Sequence, residues 1–257
     1  MIDSQSLERD ARPRFANRFG GPRYGRATLG RDKEPRVKDF DLSTTAGRLA
    51  TYVDYNLNDH AFLRIQFQNA HWLGDRLVRT NQPWPFQLKR WRERGVRTVI
   101  NLRGGFDASF YALERDACAR LGLKLVNFTV NSREAPSRER ILGARDMFAQ
   151  IEYPALMHCK SGADRASLMS VLYAHFQLGQ PISQAIGQMS FRYLHIKSSK
   201  TGVLDHVFLT YLREVEPQGV SFLDWVESEA YDAPALTREF HAGRAGDFLV
   251  ERVLRRE

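Results

Sequence analysis

The chain has 257 residues, 43% of them hydrophobic, and two cysteines, which suits one domain with extensions and excludes a disulfide scaffold. It shows no run of about 18 apolar residues and no apolar stretch near its start, so neither a spanning helix nor a secretory signal is expected. The formal net charge of +8 asks for an anionic partner; without zinc spacing, an aromatic RNA-binding motif or a basic coiled coil, nucleic acid is disfavoured, leaving phosphorylated substrates or an anionic membrane surface.

Residues 1–40 are polar and basic with no apolar period, which predicts a disordered arm. Residues 41–68 form an amphipathic helical segment in which Leu49, Val53, Leu57, Phe62 and Ile65 recur near helical spacing. Such a stripe packs on a domain or lies on a membrane, and packing is its commoner use. Residues 69–215 read as one domain. His71-Trp72-Leu73 and Leu77-Val78 predict short strands, Gln82-Pro83-Trp84-Pro85 a break, and Pro85 to Arg94 a helix ended by Gly95. Arg97 to Arg103 reads as a strand, ended by Gly104-Gly105. The next helix carries Phe110, Leu113, Ala117 and Leu121, and a strand follows over Leu123 to Val130. Ser137 caps a helix with Ile141, Ala144, Phe148 and Ile151. A short strand then leads into Cys159, followed by a helix to Gly179 and another from Pro181 to about Tyr193. The pattern after Gly202 is wholly helical, and residues 216–257 form a C-terminal helical extension with helices over Phe222 to Glu229 and Ala235 to Arg256. Strands alternating with helices define an α/β domain with a central, partly parallel sheet.

The most informative run is Leu156-Met157-His158-Cys159-Lys160-Ser161-Gly162-Ala163-Asp164-Arg165. A loop at a helix start aims several N–H groups at one point, and the helix dipole favours an anion there. A cysteine at its mouth shares that field, which favours the thiolate. Arg165 can grip two oxygens of a phosphate with its planar fork.

His158-Cys159-x-x-Gly162-x-x-Arg165 resembles the signature loop of the cysteine-dependent protein tyrosine and dual-specificity phosphatases. Gln82-Pro83 and Val99 to Arg103 are similar to bacterial members. The resemblance covers residues 69–215 and implies a phosphatase-like fold with extra C-terminal helices. It also implies attack by the Cys159 thiolate on phosphorus, with Arg165 and the loop amides of Lys160, Ser161, Gly162 and Ala163 holding the oxygens. The phosphocysteine is then hydrolysed by water. Metal and organic cofactors are not required, and the dispersed histidines match no metal cage. A thiolate nucleophile needs a reducing compartment, so the expected location is the cytoplasm, with peripheral contact at the inner face of the membrane as a further option.

The chain departs from the family in two places. Ala166 stands where a Ser or Thr usually follows the Arg, and Ser167 comes one later. The upstream loop that usually carries an Asp as general acid, Asn131 to Pro136, holds Glu134 as its carboxyl. Asp164, beside Arg165, is the other candidate acid, with Asp107 third. His158 is expected to order the loop. Lys160 is similar to the residue at this place in lipid-directed members, whereas Ala163 stands where those often have a second basic residue. Arg103, and Arg192, His195 and Lys197 from a second basic cluster, are candidate contacts to substrate. Two substrate classes follow, phosphorylated protein, with phosphotyrosine foremost, and phosphorylated lipid or envelope glycolipid. A weakly active phosphate-binding module is the alternative.

Overall fold

A computed structural model describes residues 40–254, with side chains through residue 243. The arm predicted for residues 1–40 thus lies, but for its last residue, outside the described residues. The first helix, α1 (Thr45–Asp59), begins where the Thr44 hydroxyl accepts from the Gly47 N–H at 3.1 Å, and stops at the left-handed His60. A 3-10 turn, Ala61–Arg64, follows. The hairpin strands β1 (His71–Leu73) and β2 (Leu77–Thr80) come next, then α2 (Pro85–Glu93), with proline at its first position, where no N–H is missed.

From here strand and helix alternate: β3 (Thr98–Asn101), α3 (Ser109–Leu121), β4 (Lys124–Asn127), α4 (Arg138–Gln150), β5 (Ala155–His158) and α5 (Asp164–Phe176). The sheet order is β1-β2-β5-β3-β4, parallel except for β1 against β2. This puts β5 at the centre, paired on both sides, and its C-terminal end opens into the signature loop. All four β5 residues are buried.

Alternation along β5 divides the core. Ala155 and Met157 point to a large cluster with Ile141 and Phe148 of α4 and Leu168 and Leu172 of α5. Leu156 points the other way, to Leu88 and Trp91 of α2 and Ala117 of α3. Both faces are therefore covered, as parallel strands require. The chain then runs through α6 (Ile182–Ala185), α7 (Val203–Thr210), α8 (Phe222–Glu227) and α9 (Ala233–Leu254). Phe208, Phe222 and Trp225 of α7 and α8 join the larger cluster.

Several elements are shorter than their periodicity predicts. The helix expected from Pro181 to Tyr193 is one turn, α6, followed by two 3-10 turns, Ile186–Gln188 and Phe191–Tyr193. The strand expected over Leu123 to Val130 ends at Asn127. The stripe Leu49, Val53, Leu57 does not pack on the domain. The packed face of α1 is Thr51, Tyr55 and Asp59, and Tyr55 meets Trp84 at 4.9 Å between ring centroids.

Candidate active site

The signature loop turns on Gly162, whose φ of +72° suits glycine; an added Cβ would lie 2.8 Å from the Asn81 amide nitrogen. Beneath the loop lies a residue that the motif does not contain. Arg79, on β2, is fully buried, and donates to the Gly162 carbonyl at 2.9 Å, the Ala163 carbonyl at 3.2 Å and the Ser167 hydroxyl oxygen at 2.7 Å. It also donates to the Gln188 carbonyl, at 3.0 Å, and lies over the Tyr193 ring. A peptide plane points its N–H opposite to its C=O. Drawing the carbonyls of Gly162 and Ala163 inward therefore turns the N–H groups of Ala163 and Asp164 toward the loop's outer side, where the Ala163 N–H meets the Ser161 hydroxyl oxygen at 3.4 Å. Desolvation lowers the Arg79 pKa to about 10, although the nearby Cys159 and Tyr193 act to raise it. It therefore stays a cation at neutral pH, electrostatically coupled to Cys159.

Cys159 is buried at the end of β5. Beside it opens a cleft of about 560 Å³ whose lining includes Lys160, Ser161 and Arg165 from the loop and the start of α5. The opposite wall comes from the end of α1, at Asp59, and the segment after it: His60, Leu63, Arg64 and Phe67. That wall is tied to the sheet through the predicted break. Asn81 donates to the Phe67 carbonyl at 2.6 Å, Gln87 to the Arg64 carbonyl at 2.9 Å, and the Trp84 indole to the Ala61 carbonyl at 2.9 Å. Asn69 bridges the loop to the segment after α6, donating to the carbonyls of Ser161 and Tyr193, both at 3.1 Å. Among the described residues, the non-glycine positions with positive φ are His60, Asn69 and Leu194, at +52°, +46° and +64°. His60 and Leu194 line the cleft and Asn69 braces it, a concentration of backbone strain at one site.

Asp59 is the cleft's carboxyl. It takes two hydrogen bonds from Arg103, at 2.7 and 3.0 Å, is paired with Arg64, and lies 3.1 Å from Lys160 Nζ. Burial alone would raise its pKa, but Arg103, then Arg64 and Lys160, hold the carboxyl below its usual range. No motif reading singles out Asp59, because it sits on a helix outside the domain predicted from the resemblance. The sequence carries no signal for it, because the stripe of Leu49, Val53 and Leu57 would put Asp59 on the solvent side of α1, whereas the structure buries it as a paired acid.

The expected contacts divide accordingly. Lys160, Ser161 and Arg165 line the cleft, and Arg103 adjoins it through Asp59, with its guanidinium over the Phe110 ring. Gly162 and Ala163 contribute backbone. His158 does not line the cleft: it is fully buried, with Nε2 2.6 Å from Glu114, which also accepts from Gln82. Ser167 is buried and its oxygen is occupied by Arg79. His195 is also turned inward, with Nδ1 2.9 Å from Asp164 and Nε2 2.5 Å from Asp205. Arg192 and Lys197 are exposed and outside the cleft lining.

Neither acid candidate lines the cleft. The Asp164 carboxylate accepts from His195 and from the Thr201 hydroxyl, both at 2.9 Å. These bonds and the nearby Arg165 outweigh burial and keep its pKa below the usual value. Glu134 is exposed and lines a different cavity, with Ser137, Ala233 and Thr237. Asp107 is exposed and also outside the cleft lining. The second cysteine, Cys118, is buried in the α2–α3 cluster, where desolvation pushes its thiol pKa up.

A sheet led by β5 into a Cys-to-Arg loop is the architecture of cysteine-dependent phosphatases. The chain belongs to the family described as "DSP-PTPase phosphatase fused to NAD+ Kinase", whose sequence profile matches residues 71–202. Solved structures similar to it include TpbA of P. aeruginosa, at 16% identity and a TM-score of 0.44 over 59% of this chain and 88% of that one. Tk-PTP, in its active form, matches at 17% identity and a TM-score of 0.44, over 57% and 97%. PTPMT1 in complex with PI(5)P matches at 16% identity and a TM-score of 0.44, over 59% and 99%. No curated protein sequence matches the chain.

Proposed function

We propose that the protein hydrolyses phosphomonoesters through a phosphocysteine on Cys159. The observation that carries this is the buried Arg79, which draws the loop carbonyls inward and so leaves the loop amides for an anion beside Cys159 and Arg165. The Cys159 thiolate attacks phosphorus, a P–S bond forms, and the P–O bond to the leaving group breaks. Arg165 and the loop amides take the equatorial oxygens, where charge is greatest in the transition state. The leaving oxygen needs a proton. Asp59 is held as a carboxylate, and His60, the imidazole in the cleft wall, is the group we assign to donate it. Water then attacks phosphorus, gives its proton to His60, and releases orthophosphate and the thiolate.

Turnover of an aryl and an alkyl phosphate, followed by phosphate release, tests both assignments. Cys159→Ser should abolish both. His60→Ala should slow the alkyl ester by about 10²-fold or more and spare the activated aryl ester, whose leaving group needs no proton. Equal loss on both substrates would remove His60 from this role, and an active Cys159→Ser would remove the phosphocysteine.

A further inference from the structure

The helix α1 is amphipathic in the reverse sense. Its packed side is Thr51, Tyr55 and Asp59, while Leu49, Val53 and Leu57 are 65%, 48% and 69% exposed. Two residues of helix are about 200° of rotation, so the apolar stripe lies opposite the face that holds α1 to the domain. The stripe runs toward the cleft, where α1 ends at Asp59. Beyond it the chain keeps large apolar side chains in solvent: Phe62 at 53%, Leu63 at 65% and Phe67 at 55%. Across the cleft, Phe191 and Leu194 do the same, at 75% and 41%. Leu63, Phe67 and Leu194 are themselves cleft walls. Exposed apolar side chains gathered on a helix face and at the walls of a polar cleft mark an interaction surface.

Charge selects the partner. Residues 181–204 carry Arg192, Lys197 and Lys200, all exposed, with no Asp or Glu in the stretch, whereas Arg64 is buried against Asp59. Apolar residues that enter an acyl boundary, with cations beside them, fit an anionic bilayer surface. No helix among the described residues is long and apolar enough to cross a membrane, so α1 would lie along the surface.

We propose that the outward face of α1 and the apolar rim of the cleft dock on an anionic phospholipid bilayer, so that the phosphate reaching Cys159 is carried by a lipid of that surface. The substrate half of this rests on the phosphatase reading above; the docking half does not.

The full chain is sedimented with vesicles of phosphatidylcholine alone or mixed with phosphatidylglycerol. Wild type should bind the mixed vesicles and not the neutral ones. Leu49→Glu with Leu57→Glu should lower binding by roughly two orders of magnitude, since two buried leucines are lost and two repelled charges gained. Phe191→Ser, on the far side of the cleft, should lower it less. Neither variant alters the cleft lining, so both should keep wild-type turnover of a soluble aryl phosphate. Hydrolysis of phosphatidic acid held in the mixed vesicles should fall with binding, and that of a short-chain, water-soluble phosphatidic acid should not. Wild type that ignores the mixed vesicles, or stripe variants that bind like wild type, would overturn the docking. So would a wild-type dimer that the leucine variant turns into a monomer, with vesicle binding absent in both. A phosphotyrosine peptide turned over faster than vesicle phosphatidic acid would overturn the lipid substrate. Loss of all turnover, soluble esters included, would sink the phosphatase reading, while vesicle binding still decides the docking.

Discussion

Without the Arg79 guanidinium, the Gly162 carbonyl and the hydroxyl oxygen of Ser167 lose their donor in a place that water does not reach, while the Ala163 carbonyl keeps the Ser167 N–H at 2.9 Å. Each buried polar group left unpaired costs about 1–3 kcal/mol, so Arg79→Met is expected to lower stability noticeably. The diagnostic effect is a different one. With the Gly162 carbonyl released, the amide of its peptide plane no longer converges with the others, and affinity for vanadate or phosphate should fall together with kcat. Arg79→Lys keeps the cation near Cys159 but cannot span three acceptors with one planar fork. It should therefore recover part of the stability while oxyanion affinity stays about tenfold or more below wild type. Thermal unfolding and vanadate inhibition, measured on both variants, separate the two effects. Vanadate affinity unchanged in the folded Lys variant would make Arg79 a support for the core alone.

At the scale of elements, what was legible from sequence followed the alternation of strand and helix. The β5–loop–α5 unit could be read because a motif and a change of period coincide at Cys159, and the cap at Ser137 marks the helix before it. Less legible was anything decided by a contact between distant residues. His195 looked like one cation of an exposed basic run, yet it is buried between Asp164 and Asp205, because the 3-10 turns after α6 fold that segment back onto the start of α5. The apolar stripe of α1 was visible, but periodicity cannot say which face meets the domain; Tyr55 and Asp59 decide that by finding Trp84 and Arg103. The His195 link carries a pH signature. Burial alone would lower the imidazole pKa, but Asp164 and Asp205 raise it to about 9, from an ordinary value of 6.5. Its contribution is thus complete below about pH 6.5 and lost as pH rises toward 9, on the order of 3 kcal/mol at 1.36 kcal/mol per pH unit. Asp164, with its lowered pKa, acts in the opposite sense and loses its contribution only in acid, below its usual value of 3.8. The wild-type melting temperature should therefore fall between pH 6.5 and 9, and His195→Gln, though less stable throughout, should flatten that limb. An equal slope in the variant would show that other groups set it.

At the scale of the whole molecule, the residues matched by the family profile, 71–202, do not by themselves enclose the cleft. One wall belongs to α1 and the turn after it, and two ion pairs clamp that segment down. Arg48 and Asp116 meet at 2.9 Å near the start of α1, with side chains 34% and 23% exposed. Asp59 meets Arg103 at 2.7 Å at its end, with both below 10%. The distances are alike, so exposure decides what each pair is worth. In the outer pair, solvent screens the attraction, and a pair of this kind typically contributes up to about 1 kcal/mol. In the inner one, removing the carboxylate leaves Arg103 and Arg64 as buried cations without a counter-charge, a loss that runs to about 3–5 kcal/mol. Asp116→Asn should accordingly shift thermal unfolding only slightly, whereas Asp59→Asn should lower it by several degrees. The inner variant should also lose turnover of alkyl and aryl phosphates alike, because beyond displacing His60 it unpairs Lys160 and Arg103 beside the phosphate site, a change that does not depend on the leaving group. Equal stability of the two variants would mean that α1 is held by the packing of Tyr55 and Tyr52 on Trp84, and that the Asp59 cluster serves the cleft alone.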